Sequence, residues 1–207
     1  MPIRPLLLRC CARYAPLLVL ALFLAVAPSS GNAQLKIYAQ FADGTGVWAG
    51  ESTAANRTGW VELDSVSFGT TNTTTLGSGS GGAGGGKAKF DSIELSKAID
   101  RVTPQIFSTL TTGGFVAGLE GVVTVEFVRQ IGGVDRVVFK VEMKAVAFTR
   151  QQTSVGDGDD RLVENVTMQC GAMRITYPRL NPDGSPTGPP IEREWSIVLN
   201  NPTFNVQ

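Results

Sequence analysis

Histidine is absent from all 207 residues. That excludes imidazole acid–base catalysis, Ser-His and Cys-His nucleophile pairs, and histidine-ligated metals. Cysteine is scarce. Of three, Cys10 and Cys11 lie near the start, and Cys170 stands alone in the remainder, where one thiol cannot close an internal disulfide. Cys170 alternates with Val166 and Met168, the pattern of a small core residue, and no cationic neighbour in sequence activates it. Acidic residues are missing before Asp43, whereas Arg4, Arg9 and Arg13 crowd the first 13 positions. Without those three, 15 basic side chains face 18 acidic ones, a net charge of about −3. Such a surface suits neither phosphate backbones nor anionic membranes, so no nucleic-acid partner is expected.

The longest apolar run is Ala15–Ala27, 13 residues, short of the roughly 18–20 needed to cross a bilayer. It follows a basic stretch and precedes Pro28–Ala33, which ends in small residues. This is the layout of a secretory signal cleaved after Ala33, leaving no membrane span. A lipoprotein cysteine would follow the run, but Cys10 and Cys11 precede it. The expected organisation is a cleavable signal over 1–33 and one domain over 34–207, exported to the periplasm or medium of a bacterium.

The remainder alternates like a β protein. Leu35, Ile37, Ala39 and Phe41 share one strand face. Trp60–Phe68, Lys89–Leu95, Val163–Cys170, Met173–Tyr177 and Glu192–Leu199 read as further strands, with Trp60 mostly buried. Val122–Arg129 and Arg136–Phe148 flank Gly132-Gly133 and predict a hairpin. One helix is expected, with Thr103 as N-cap, Pro104 in the first turn, Gly113 as the stop, and Ile106, Phe107 and Leu110 as its apolar face. Thr70–Gly86 and Asn181–Pro190 are turn-rich linkers. Many short strands and one helix give a mainly β fold, a small antiparallel barrel or sandwich.

Three motifs invite chemistry the rest of the chain does not support. Gly81–Lys87 fits G-x-x-x-x-G-K, but Ala88 stands where a magnesium-binding hydroxyl is needed and a strand follows where a helix is needed. It reads as a flexible loop with no nucleotide cofactor. Asp157, Asp159 and Asp160 form an acidic turn, but Met168 occupies the position of the closing calcium ligand. The pairs Glu62/Asp64 and Glu192/Glu194 each lie on one strand face without a constellation that implies catalysis. No catalytic, cofactor or metal residues are assigned.

The order of short motifs resembles the haemolysin-coregulated protein (Hcp) family, the tube proteins of bacterial type VI secretion. Gly50-Glu51-Ser52-Thr53, Gly59-Trp60-Val61-Glu62 and Ser67-Phe68 resemble the family's opening. Ser96–Pro104 (SKAIDRVTP) resembles the segment before its single helix. Glu164-Asn165-Val166, Gly171 and Ile175-Thr176-Tyr177 resemble its closing strands, and Asp183-Gly184 and Trp195 suit the last hairpin. The resemblance implies an antiparallel two-sheet β-barrel with one flanking helix. It also implies a homohexameric ring that stacks into a tube, carries effector proteins in its lumen, and has no active site or cofactor. The loop marked by Thr70, Gly77, Gly81, Gly86 and Lys87 would project to help ring meet ring. The chain departs from the family's cytoplasmically assembled members in its export signal. The other reading is an exported barrel that binds a ligand through Thr70–Gly86 and Gly156–Arg161 without joining a tube.

Overall fold

Strand β1 (Lys36–Asp43) organises the barrel in a computed structural model that describes residues 34–43, 46–72, 87–116, 118–156 and 160–207. The segment read as a signal, Gly77, Gly81 and Gly86, and Asp157 and Asp159 lie outside the described residues. Those described fall within one compact unit, Ala33–Gln207.

Further along are β2 (Gly46–Val47), β3 (Val61–Leu63), β4 (Ser65–Ser67), β5 (Thr70–Asn72), β6 (Ala88–Phe90) and β7 (Ile93–Ala98). Helix α1 (Thr103–Thr112) follows, then β8 (Val122–Ile131), β9 (Val134–Lys144), β10 (Ala147–Ser154), β11 (Val163–Gln169), β12 (Ala172–Tyr177) and β13 (Ile191–Ser196). The larger sheet runs β13-β12-β9-β8-β1-β2, with β3 also on β1, and the smaller runs β10-β11-β7-β4. Strands β5 and β6 form a separate two-stranded ladder, and every pairing is antiparallel. Among the described residues, the expected two-sheet antiparallel barrel with one helix is therefore the fold observed.

Alternation decides which side chains meet between the sheets. Ala39, Phe41, Val123, Val125, Val141 and Met143 come from the larger sheet, and Ile93, Leu95, Val166 and Met168 from the smaller. Phe41 stacks on Trp48 with centroids 5.7 Å apart, and Phe148 tilts against both. The Gly132-Gly133 hairpin forms as predicted. Ile131 pairs with Val134 across a two-residue turn in which both glycines have positive φ, 60° and 78°; glycine takes that conformation without steric cost.

Several predicted strands break at corners. Trp60–Phe68 is two strands in different sheets: β3 pairs with β1, the chain bends at Asp64, and β4 pairs with β7. Lys89–Leu95 divides at Asp91-Ser92 into β6 and β7. Arg136–Phe148 stops at Lys144, where Ala145 takes φ 48° and turns the chain into β10 of the other sheet. Hydrophobic alternation continues through such corners because both sheets face one core, so the pattern alone does not reveal them. Trp60 is half-buried rather than mostly buried.

Helix α1 starts and stops near the predicted points, with corrections at Thr103 and Phe107. Val102 is the cap position and Thr103 the first helical residue. The Val102 backbone N–H donates to Asp100 Oδ1 at 2.9 Å, so the aspartate satisfies the chain entering the helix. Gly113 ends it in the left-handed conformation. Ile106 is fully buried and Leu110 packs on the core, but Phe107 points out and is 60% exposed.

Candidate functional site

Two of the segments that resemble family motifs meet at the head of the helix. At the head of α1, Lys97 Nζ sits 2.7 Å from Glu164 Oε2 and 2.7 Å from Asp100 Oδ1. Thr103 Oγ1 donates to Glu164 Oε2 at 2.9 Å and lies 3.1 Å from Lys97 Nζ. Gln151 Nε2 donates to Glu164 Oε1 and, at 3.2 Å, to the Thr103 carbonyl. Lys97 comes from β7, Glu164 from β11, Gln151 from β10, and Thr103 from the helix. The cluster therefore ties three strands to the helix. Lys97 and Glu164 are 1% and 0% exposed, so each charge depends on the other for compensation. Glu164 is engaged by Lys97 and the Thr103 hydroxyl, and Asp100 by Lys97 and the Val102 N–H, so the cluster reads as a structural clamp.

A second constellation covers the outer face of the larger sheet. The turn over residues 50–60 lies across it. Arg57 pairs with Glu126 at 2.7 Å and lays its guanidinium 5.5 Å from the centre of the Tyr38 ring. Tyr38 is 2% exposed, and burial is the main cause of its raised pKa, with Glu62 and Asp135 adding to it. Ser52 Oγ donates to Glu62 Oε1 at 2.8 Å. Beyond the turn, Arg174 Nε meets Glu194 Oε2 at 3.0 Å, Lys140 meets Glu142 at 3.1 Å, and Thr176 Oγ1 lies 3.1 Å from Glu192 Oε1. The pairs singled out in sequence are thus separated in role. Glu62 holds the turn while Asp64, at the corner, pairs with Arg161 at 2.9 Å; Glu192 and Glu194 belong to the surface lattice.

The segment expected to project lies outside the described residues between β5 and β6, whose ladder pairs Thr70 with Phe90 and Asn72 with Ala88. Thr70 and Lys87 are exposed at its root. Beside that ladder, Phe68, Thr70, Phe90, Met173, Ile175 and Trp195 line a groove of about 320 Å³, and Phe68 stacks on Phe139 with centroids 6.4 Å apart. Cys170 is half-buried against the core, and burial pushes its thiol up to about 12, the opposite of an activated nucleophile. Asp160 is exposed, and among the described residues no cluster of metal-ligating side chains occurs.

A family profile described as "Type VI secretion system effector, Hcp" matches residues 38–177, from β1 to the end of β12. The chain belongs to the Hcp family of type VI secretion tube proteins. Among Hcp relatives, Protein hcp1 of Pseudomonas aeruginosa is 27% identical over 115 residues, 55% of this chain and 68% of that one. A solved type six secretion system protein shares the Hcp fold at TM-score 0.72 and 22% identity, covering 82% of this chain and all of the other. Hcp1 from Salmonella typhimurium aligns at TM-score 0.62 and 17% identity, over 82% of this chain and 99% of its own.

Seen as an Hcp barrel, the clamp gathers residues from two of the resembling segments, Ser96–Pro104 and Glu164–Val166. Sequence reasoning missed Gln151, because β10 beyond Phe148 is polar and mostly exposed and carries no alternating signal. It also missed the C-terminal strap. Phe204 and Val206 bury themselves against Ala145 and Ala172, and the Arg174 guanidinium lies 4.3 Å from the Phe204 ring centre.

Proposed function

We propose that the chain loses residues 1–33 on export and that residues 34–207 assemble as one domain into a closed homohexameric ring. The rings stack into a tube through the loop between Thr70 and Lys87, including Gly77, Gly81 and Gly86. The tube carries effector proteins in its lumen and performs no catalysis of its own. The observation that carries this reading is that the family match runs unbroken through the barrel from Tyr38 to Tyr177. Residues from two of the segments that resemble family motifs also fasten the helix to the smaller sheet. A chain with this architecture acts through shape and surface, and ring packing would cover its edge strands, among them β13 and β10.

Light scattering on the purified protein over a range of concentrations tests the ring. A discrete mass near six copies is expected. A monomer at every concentration would sink the ring and favour an exported binding module. Shortening Gly77–Gly86 should leave the ring intact and weaken stacking, because loop closure adds little to fold stability.

A further inference from the structure

We propose that the uncharged surface of α1 is one half of the contact between neighbouring copies of this chain, with Phe107 of one copy seated in the Phe68–Phe90–Trp195 groove of the next. The inference rests on the ring reading and names the two surfaces that would close it.

Residues 102–119 are 18 consecutive positions without a charged side chain, in a chain that is 17% charged. A solvated surface helix normally carries charge on its outer face; α1 instead presents Gln, Ser, Thr and an exposed Phe. Phe107 is 60% exposed, and Phe115 and Leu119, from the loop that follows, are 46% and 42% exposed. The helix is held rigidly, since Val102, Ile106 and Val116 are each 0% exposed. A fixed, charge-free surface with a projecting aromatic has the composition of an interface core and incurs little ordering cost on binding.

A ring contact is heterologous: each subunit must carry two unlike patches that fit one another. The second patch is on the same chain. The groove beside the β5–β6 ladder is lined by Phe68, Phe90, Met173, Ile175 and Trp195 and is about 320 Å³ in volume. It includes residues of β13, the end strand of the larger sheet. Its two charged neighbours, Arg193 and Glu194, have opposite signs and sum to no net charge, so the groove suits the neutral helix in charge. A Phe107-to-Phe107 contact would instead close a dimer and leave the groove empty.

The test uses the full chain in three forms: unaltered, Phe107→Glu and Thr70→Glu. Both substituted side chains are exposed, and circular dichroism checks that each variant folds. The unaltered protein should scatter as a ring and each variant alone as a monomer. Mixed in equal amounts, the variants should pair once, because only the Phe107 of the Thr70→Glu copy and the groove of the Phe107→Glu copy remain intact. The expected product is a dimer of one copy each. A monomeric unaltered protein would overturn the ring and this inference together. A ring that survives Phe107→Glu would overturn this inference alone. Monomeric variants that stay apart when mixed would overturn the pairing of helix with groove.

Discussion

Lys97 and Glu164 form an ion pair inside the protein, their Nζ and Oε2 atoms 2.7 Å apart and the side chains 1% and 0% exposed. Replacing Lys97 with Met leaves Glu164 without its cation, with Asp100 close by. Stability to urea should fall by about 3–5 kcal/mol, the usual cost of stranding a buried charge. Combining Lys97→Met with Glu164→Leu should recover much of that loss. A single-variant cost below about 1 kcal/mol would show that water reaches the cluster and that the clamp does not hold the helix.

Gly50 tests the turn over the larger sheet. A Cβ there would collide with the Trp60 carbonyl oxygen and stand 2.8 Å from the Val61 nitrogen. Both are backbone atoms on the way into β3, so relief requires moving the strand. Gly50→Ala should cost about 1–3 kcal/mol, in the range of overpacked sites. Gly59 provides the contrast, with φ 79° and open space around it. Asn tolerates that conformation, so Gly59→Asn should cost less than about 1 kcal/mol. Equal midpoint shifts for the two variants in urea would refute the distinction.

The fold was legible wherever alternation ran along a single strand and a turn had its own chemistry. The Gly132-Gly133 hairpin and the Gly113 helix stop are examples. Corners were not legible. Asp64 and Ala145 redirect the chain between sheets while apolar residues continue on the core side. The clamp was half legible. Ser96–Pro104 and Glu164 stood out as motifs, but nothing in one sequence pairs a lysine with a glutamate 67 positions away. Phe107 was misassigned because its spacing from Ile106 and Leu110 fits a helix's apolar side, whereas the structure turns it outward.

The C-terminal strap gives the third prediction. Phe204 is 7% exposed, packs with Ala145, Ala172 and Val206, and lies beneath Arg174 and Lys144 at 4.3 and 5.3 Å. This cluster is separate from the main core, so its loss should loosen the tail without unfolding the barrel. Phe204→Ala should cost toward the low end of about 3–5 kcal/mol. Hydrogen exchange should rise over residues 197–207 and stay unchanged in β8 and β9. Acceleration spread evenly over the barrel would show that the strap belongs to the main cooperative unit.

Cys170 sets a pH dependence whose sign can be worked out. Burial raises its thiol from the usual 9.0 to about 12. In the unfolded chain the thiol loses its proton near pH 9, while in the folded chain it keeps it. Between those values the native state binds more protons, so folding stability falls as pH rises, by no more than about 1.4 kcal/mol per unit. Below pH 8 the thiol is protonated in both states and contributes no slope. Cys170→Ala removes the ionising group and keeps every other titration common to both proteins. Urea unfolding of the two forms from pH 7 to pH 10.5 should therefore show a constant difference up to about pH 8. Above it, the unaltered protein should lose ground steadily against Cys170→Ala. A difference that stays flat through pH 10.5 would mean that the folded thiol ionises as freely as the unfolded one, and that water reaches Cys170.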